Sequence, residues 1–290
     1  MKLEFVPLLQ LQRDLYRIPR GRERFREYLR VMLNDDRSDV RLPLGIMNPM
    51  GKDHVPALID ALLMLDADGV AARAVGEVSA RLLGVPGEFK AALVVADDLM
   101  GGWTNRYTSE FSLRFPGAAS HKPPRVDSQT KPISKGSWLE TTTEKSHHKT
   151  KGRNWRFWLP GVLWTSEAPS AQAAREAVLM PIYRAAYVHQ HGSAHTLGEM
   201  LAQEGYVMAM AGCTQPTLDA DDLAYTHTVI APHLGAQDQP TLIECLFGDT
   251  VARSLGYPPQ GLSEWAGLAL ALHQARSDPA LQRTGVELSV

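Results

Sequence analysis

Residues 89–115 read FKAALVVADDLMGGWTNRYTSEFSLRF. The apolar, β-branched run Ala91–Ala96 has the length and composition of a buried strand. It stops at two adjacent acids, Asp97 and Asp98, and the pair Gly101-Gly102 then turns the chain. A dense polar and aromatic set follows: Trp103, Asn105, Arg106 and Tyr107. Beyond it, Phe111, Leu113 and Phe115 alternate with Glu110, Ser112 and Arg114, the period-2 pattern of a half-buried strand. The stretch predicts a small sheet with paired carboxylates at one end.

Working outward, residues 1–86 read as helical. Phe25, Tyr28, Leu29, Met32 and Leu33 form one apolar stripe at helical spacing, and Val55, Leu58, Ile59, Leu62 and Leu63 form a second. Val70, Ala74, Val75, Val78 and Leu82 form a third, closed by Gly84 and Pro86. Between the first two lies LPLGIMNPMGKD (42–53), punctuated by Pro and Gly but apolar enough to pack. Residues 87–166 are β-rich, with further strands expected at Ser137–Glu144 and Asn154–Trp164. Pro160-Gly161 should bend the latter or put it at an edge. A mobile loop is expected over 116–136. Residues 167–276 are helical again. The spacing predicts a helix over Ala171–His189 with a kink at Pro181, and capping boxes at Thr196–Glu199 and Thr241–Glu244. Asp66 and Asp219 read as N-caps. Residues 277–290 read as a tail. The expected fold is α+β: helix-rich, one compact domain over 1–290, with a small mixed or antiparallel sheet flanked by N- and C-terminal helical blocks.

At 290 residues with 44% hydrophobic and 21% charged residues, the chain has the composition of a soluble globular protein. Its net charge of −2 gives no global attraction to nucleic acid or membrane. There is neither a signal-peptide pattern nor an apolar run approaching ~18 residues, so the expectation is a cytoplasmic protein with no membrane partner. Cys213 and Cys245 read as reduced, packed thiols. No glycine-rich phosphate loop, nucleophile elbow or dinucleotide fingerprint is present, which argues against an ordinary ATPase, serine hydrolase or nicotinamide enzyme. A receiver-type phosphorylation pocket also places acids after a strand, but the alternating βα pattern it needs does not follow.

The candidate chemistry centres on Asp97 and Asp98, as ligands for a divalent metal or as a general acid and base. Arg106 would orient a small anionic substrate through its bidentate fork, with Trp103, Asn105 and Tyr107 as further substrate contacts. The bland alternative is a packed turn with Arg106 paired to Glu110 or an Asp. His189, His191 and His195 have metal-ligand chemistry, but Gly192 and Thr196 place them across a helix–helix turn, which excludes a helical protease motif. They would need an outside ligand such as Asp97 or Asp98. A basic, Trp-rich stretch over 122–164 suggests a different class, a non-enzymatic binding protein for an anionic ligand, a nucleic acid or a protein partner. The arginines between Arg13 and Arg30 read as a solvated, ion-paired face. The leading expectation is a hydrolase or lyase, metal-assisted or acid/base, acting at the Asp97–Tyr107 turn. The oligomeric state is not legible in the sequence.

Overall fold

A computed structural model of the chain describes residues 1–33, 41–99, 105–116, 118 and 157–278. Trp103, the strand expected at 137–144, most of the 116–136 loop and the basic stretch up to residue 156 lie outside the described residues.

Among the described residues the sheet has three strands in the order β1 (Lys2–Phe5), β2 (Glu88–Ala96), β3 (Phe157–Trp164). Both pairings are parallel, with Leu3 opposite Phe89 and Leu93 opposite Gly161. The fold is therefore helix-rich and α+β in content, but its sheet is neither antiparallel nor mixed. Long crossovers, not hairpins, join the strands. The acids of residues 97–98 thus leave the carboxyl end of a parallel sheet.

Central strand β2 is buried throughout Ala91–Ala96 because helices cover both faces. Helices α1 (Leu9–Arg17) and α3 (His54–Met64) and the 3-10 turn Leu42–Ile46 pack on it with α4 (Ala67–Arg81) and α6 (Ala171–His191). β1 is too short to pair beyond Ala91, and α1 completes the open edge. The Gln12 amide donates to the Val95 carbonyl (2.7 Å) and accepts from the Val95 amide (2.9 Å), as a neighbouring strand would. Pro160 and Gly161 lie within β3 and do not interrupt it, since β3 is an edge strand among the described residues. A Cβ on Gly161 would sit 2.7 Å from the Ala177 carbonyl, so glycine there lets α6 approach the sheet.

Residues 106–114 form helix α5, not the expected strand. The Asn105 side chain caps it by accepting from the Thr108 amide (3.1 Å), and Phe111 stacks on Phe115 at 5.4 Å. The remaining helices are α7 (Leu197–Ala211), α8 (Ala220–Ile230), α9 (Gln239–Phe247), α10 (Asp249–Ser254) and α11 (Ala266–Ser277). α7 packs between α6 and α11. The Thr196–Glu199 capping box is formed, and Asp219 caps α8. Thr241 does not start a helix; Asp238 caps α9 by accepting its amide (3.0 Å). Asp66 precedes α4 in a left-handed conformation without a side-chain cap bond. Helix α6 runs through Pro181 as far as His191, and Gly192 ends it at φ 84°.

In α2 (Arg22–Met32) the buried residues are Arg24, Tyr28 and Val31, while Phe25, Leu29 and Leu33 are exposed. Only part of the apolar stripe is therefore turned inward: Tyr28 and Met32 pack on the core, Phe25, Leu29 and Leu33 do not, and an arginine joins the inner face.

Candidate active site

The β2–β3 ladder continues one step past the strands, with the Thr165 amide donating to the Ala96 carbonyl (3.0 Å). From that end the two acids diverge, as successive residues of an extended chain do. Asp97 turns toward the N-terminal block. Its Oδ2 accepts from Asn48 Nδ2 (2.9 Å), and its Oδ1 lies 2.8 Å from His54 Nε2. Asp97 is 2% exposed, whereas the His54 side chain is 26% exposed. A buried carboxylate therefore holds an imidazole that reaches solvent. Because the carboxylate accepts, Nε2 carries the proton and Nδ1 keeps the lone pair.

Asp98 turns the other way and is saturated by the turn after β3. Its Oδ1 accepts from the Ser166 amide (2.9 Å) and Thr165 Oγ1 (2.9 Å), and its Oδ2 accepts from Ser166 Oγ (2.6 Å). The Asp98 amide in turn donates to Thr165 Oγ1 (3.1 Å). Thr165 Oγ1 is also 3.3 Å from Asp97 Oδ1, but its single proton serves the nearer Asp98. The pair thus divides its work: Asp98 anchors a turn, and Asp97 faces the histidine.

Arg106 is fully engaged. Its Nε donates to Glu110 (3.0 Å), Nη1 to Ser166 Oγ (3.0 Å) and Nη2 to Glu167, and Asp98 Oδ2 is 3.5 Å away. Its guanidinium also lies over the rings of Trp164 (5.5 Å) and Trp265 (5.2 Å). Burial works against the Arg106 charge, but Glu110, Glu167 and Asp98 outweigh it and strengthen its hold on the proton. Burial lifts the Glu167 carboxyl above its ordinary range, opposed by Arg106. Tyr107 donates to Glu264 (3.3 Å) and packs on Phe247 and Trp265. Asn105 is spent on capping. In this arrangement Asn105, Arg106 and Tyr107 stiffen the wall beside the acids.

The histidine triplet is placed elsewhere. His189 and His191 are exposed at the end of α6, which starts soon after Thr165 and runs 21 residues, about 30 Å at the helical rise. His191 stacks on Tyr187 at 4.4 Å, and the His195 amide donates to Glu199 (2.7 Å). Among the described residues no group of three or more His, Cys, Asp or Glu side chains is placed to hold a metal ion. Cys213 and Cys245 are free and buried, and burial pushes both thiols up to about 12.

Sequence reasoning missed His54 and Asn48. The signal available was the packed, Pro/Gly-punctuated segment 42–53, which is followed at once by a histidine, His54, at the start of a helix. Leu44 and Met47 are fully buried within it, and Tyr16 donates to the Asn48 carbonyl at 2.5 Å. Burial, reinforced by the Asp97 charge, holds the Tyr16 phenol in its neutral donor form.

No family model matches the chain, and no solved structure matches it. Over 103 residues, 32% of its length, the chain is 29% identical to the uncharacterized protein YjfC of Bacillus subtilis (strain 168). The chain spans about a third, 34%, of that relative's length. No helix among the described residues is long and apolar enough to cross a membrane.

Proposed function

We propose that the chain is an enzyme, a hydrolase or lyase working by acid/base chemistry, with His54 as the general base and Asp97 as its orienting carboxylate. One observation carries this reading: a buried aspartate, fixed by Asn48, hydrogen-bonds a partly exposed histidine at the carboxyl end of a parallel sheet. That end is where open α/β sheets bind ligands. Asp97 fixes the tautomer, leaving Nδ1 to take a proton from water or from a carbon acid, and it stabilises the imidazolium that results. The Nδ1–H of that imidazolium would then return the proton to the leaving group, restoring the lone pair.

The expected anionic substrate loses its main support, because the Arg106 fork is already held by Glu110, Ser166 and Glu167. Asp98 serves the reaction only by fixing the turn beside Asp97. Divalent-metal assistance has no three-ligand set among the described residues to support it.

The test is consumption of small molecules from a metabolite extract, followed by mass spectrometry. Wild-type protein should deplete at least one compound, and His54→Ala and Asp97→Ala, with unchanged circular dichroism, should slow that depletion by about a hundredfold or more. Depletion at the wild-type rate by both variants would contradict the assignment.

A further inference from the structure

We propose that Arg24 is a positioning residue for this site: it fixes the turn at Asn48–Asp53 that brings Asn48 and His54 onto Asp97. The proposal rests on reading His54–Asp97 as the reaction centre.

Arg24 is 7% exposed, yet every hydrogen bond it forms among the described residues goes to a backbone carbonyl. Its Nε donates to Ile18 (2.7 Å), and its Nη1 reaches Gly51 (3.4 Å) and Pro49 (3.5 Å) at the long end of hydrogen-bonding range. The guanidinium also lies 5.1 Å above the Tyr16 ring. Among the described residues no carboxylate lies within ion-pair distance of it, Asp53 acting only at longer range, and a cation buried on such terms is costly, so a role in packing alone accounts poorly for it. The alternative was open to the sequence: turning α2 further would have buried Phe25, Leu29 and Leu33 beside Tyr28 and Met32 in place of Arg24. Instead, besides the Arg24 bond to Ile18, its inner face supplies donors to one segment. Tyr28 donates to the Leu44 carbonyl (3.1 Å), Arg24 to Pro49 and Gly51, and Tyr16 of α1, beneath the guanidinium, to Asn48. These are the carbonyls of the chain that carries Asn48 and enters α3 at His54. A planar fork of donors can reach several carbonyls at once, whereas a lysine ammonium is a single point.

The readout is the His54 Nε2–H resonance in protein labelled with ¹⁵N-histidine. It should be hydrogen-bonded and slow to exchange in wild type, and lost in His54→Gln and in Asp97→Ala. Arg24→Lys and Arg24→Gln should broaden or lose it and lower turnover by about ten- to a hundredfold. In protein labelled with ¹⁵N-tryptophan, the Trp164 and Trp265 indole resonances should stay in place, reporting an intact fold. Wild-type resonance and turnover in both Arg24 variants would overturn the proposal. Should both unfold, the Arg24 guanidinium N–H signals of the wild-type protein decide: Nη protons that exchange as fast as those of an exposed arginine would show no hold on Pro49 and Gly51 and would overturn the proposal equally. If His54→Gln keeps full turnover, the catalytic reading fails, and the Arg24 effect on the resonance still decides whether Arg24 positions the pair.

Discussion

Asp97 and Asp98 adjoin in sequence and act on opposite sides of a strand end. Their presence at a reactive-looking turn was legible in the chain, because a β-branched run ending on acids and glycines has few other readings. Which acid faces a histidine was not legible, because His54 lies 43 positions earlier and meets Asp97 only through folding. A third acid shows the same dependence on environment. Asp68, in the first turn of α4, accepts from the Leu9 amide (3.3 Å) through one oxygen, while the other is buried without a partner among the described residues. Burial raises its pKa from 3.8 to about 6, with Asp66 adding to the rise and the Leu9 bond opposing it. The folded state thus holds this proton more tightly than the unfolded chain. Stability falls as pH rises from about 4 to about 6, and the full penalty remains above that window. Asp68→Asn keeps an acceptor for Leu9 and removes the charge. Thermal melts should show it more stable than wild type by about 1–2 kcal/mol at pH 7.5 and no different at pH 4. A gain of equal size at both pH values would refute this account.

Helix α5 shows where element-level reading fails. Phe111, Leu113 and Phe115 alternate like a strand, but Tyr107, Phe111 and Phe115 also recur every four residues, and over so short a window the two periods compete. The deciding information was the Asn105 cap and the ionic ladder on one side of the helix. Arg106 pairs with Glu110, and Arg114 pairs with Glu110 (2.8 Å) and with Glu204 of α7. Arg184 of α6 completes the set with bonds of 2.7 and 2.8 Å to Glu204. Burial opposes the Glu204 charge, but Arg184 and Arg114 draw its pKa down from 4.5 to about 2. Its stabilising contribution is therefore complete above about pH 4.5 and is lost as pH falls toward 2. Glu204→Ala leaves two buried guanidinium groups without their shared carboxylate and should cost about 3–5 kcal/mol in denaturant titrations at pH 7, and less at pH 3. A cost below about 1 kcal/mol at pH 7 would show that the ladder is dispensable. For α2 the helix itself was legible but its buried face was not, since the inward arginine serves the backbone of another segment.

At the scale of the whole molecule, helix content was legible from periodicity, and strand direction was not. Neighbouring strands in sequence suggest hairpins, whereas here β1 is a four-residue strand whose partner begins at residue 88. The parallel arrangement has a functional consequence: it gathers the ends of β2 and β3, the 42–53 segment and the start of α3 at one place. The account's central claim is that His54 and Asp97 act as one catalytic unit there. The most direct measurement is turnover of the same depleted compound by His54→Ala, by Asp97→Ala and by the double variant. Residues that act together show losses that do not add. The double variant should be no slower than the slower single variant. Losses that multiply in the double variant, or single variants as fast as wild type, would contradict the claim.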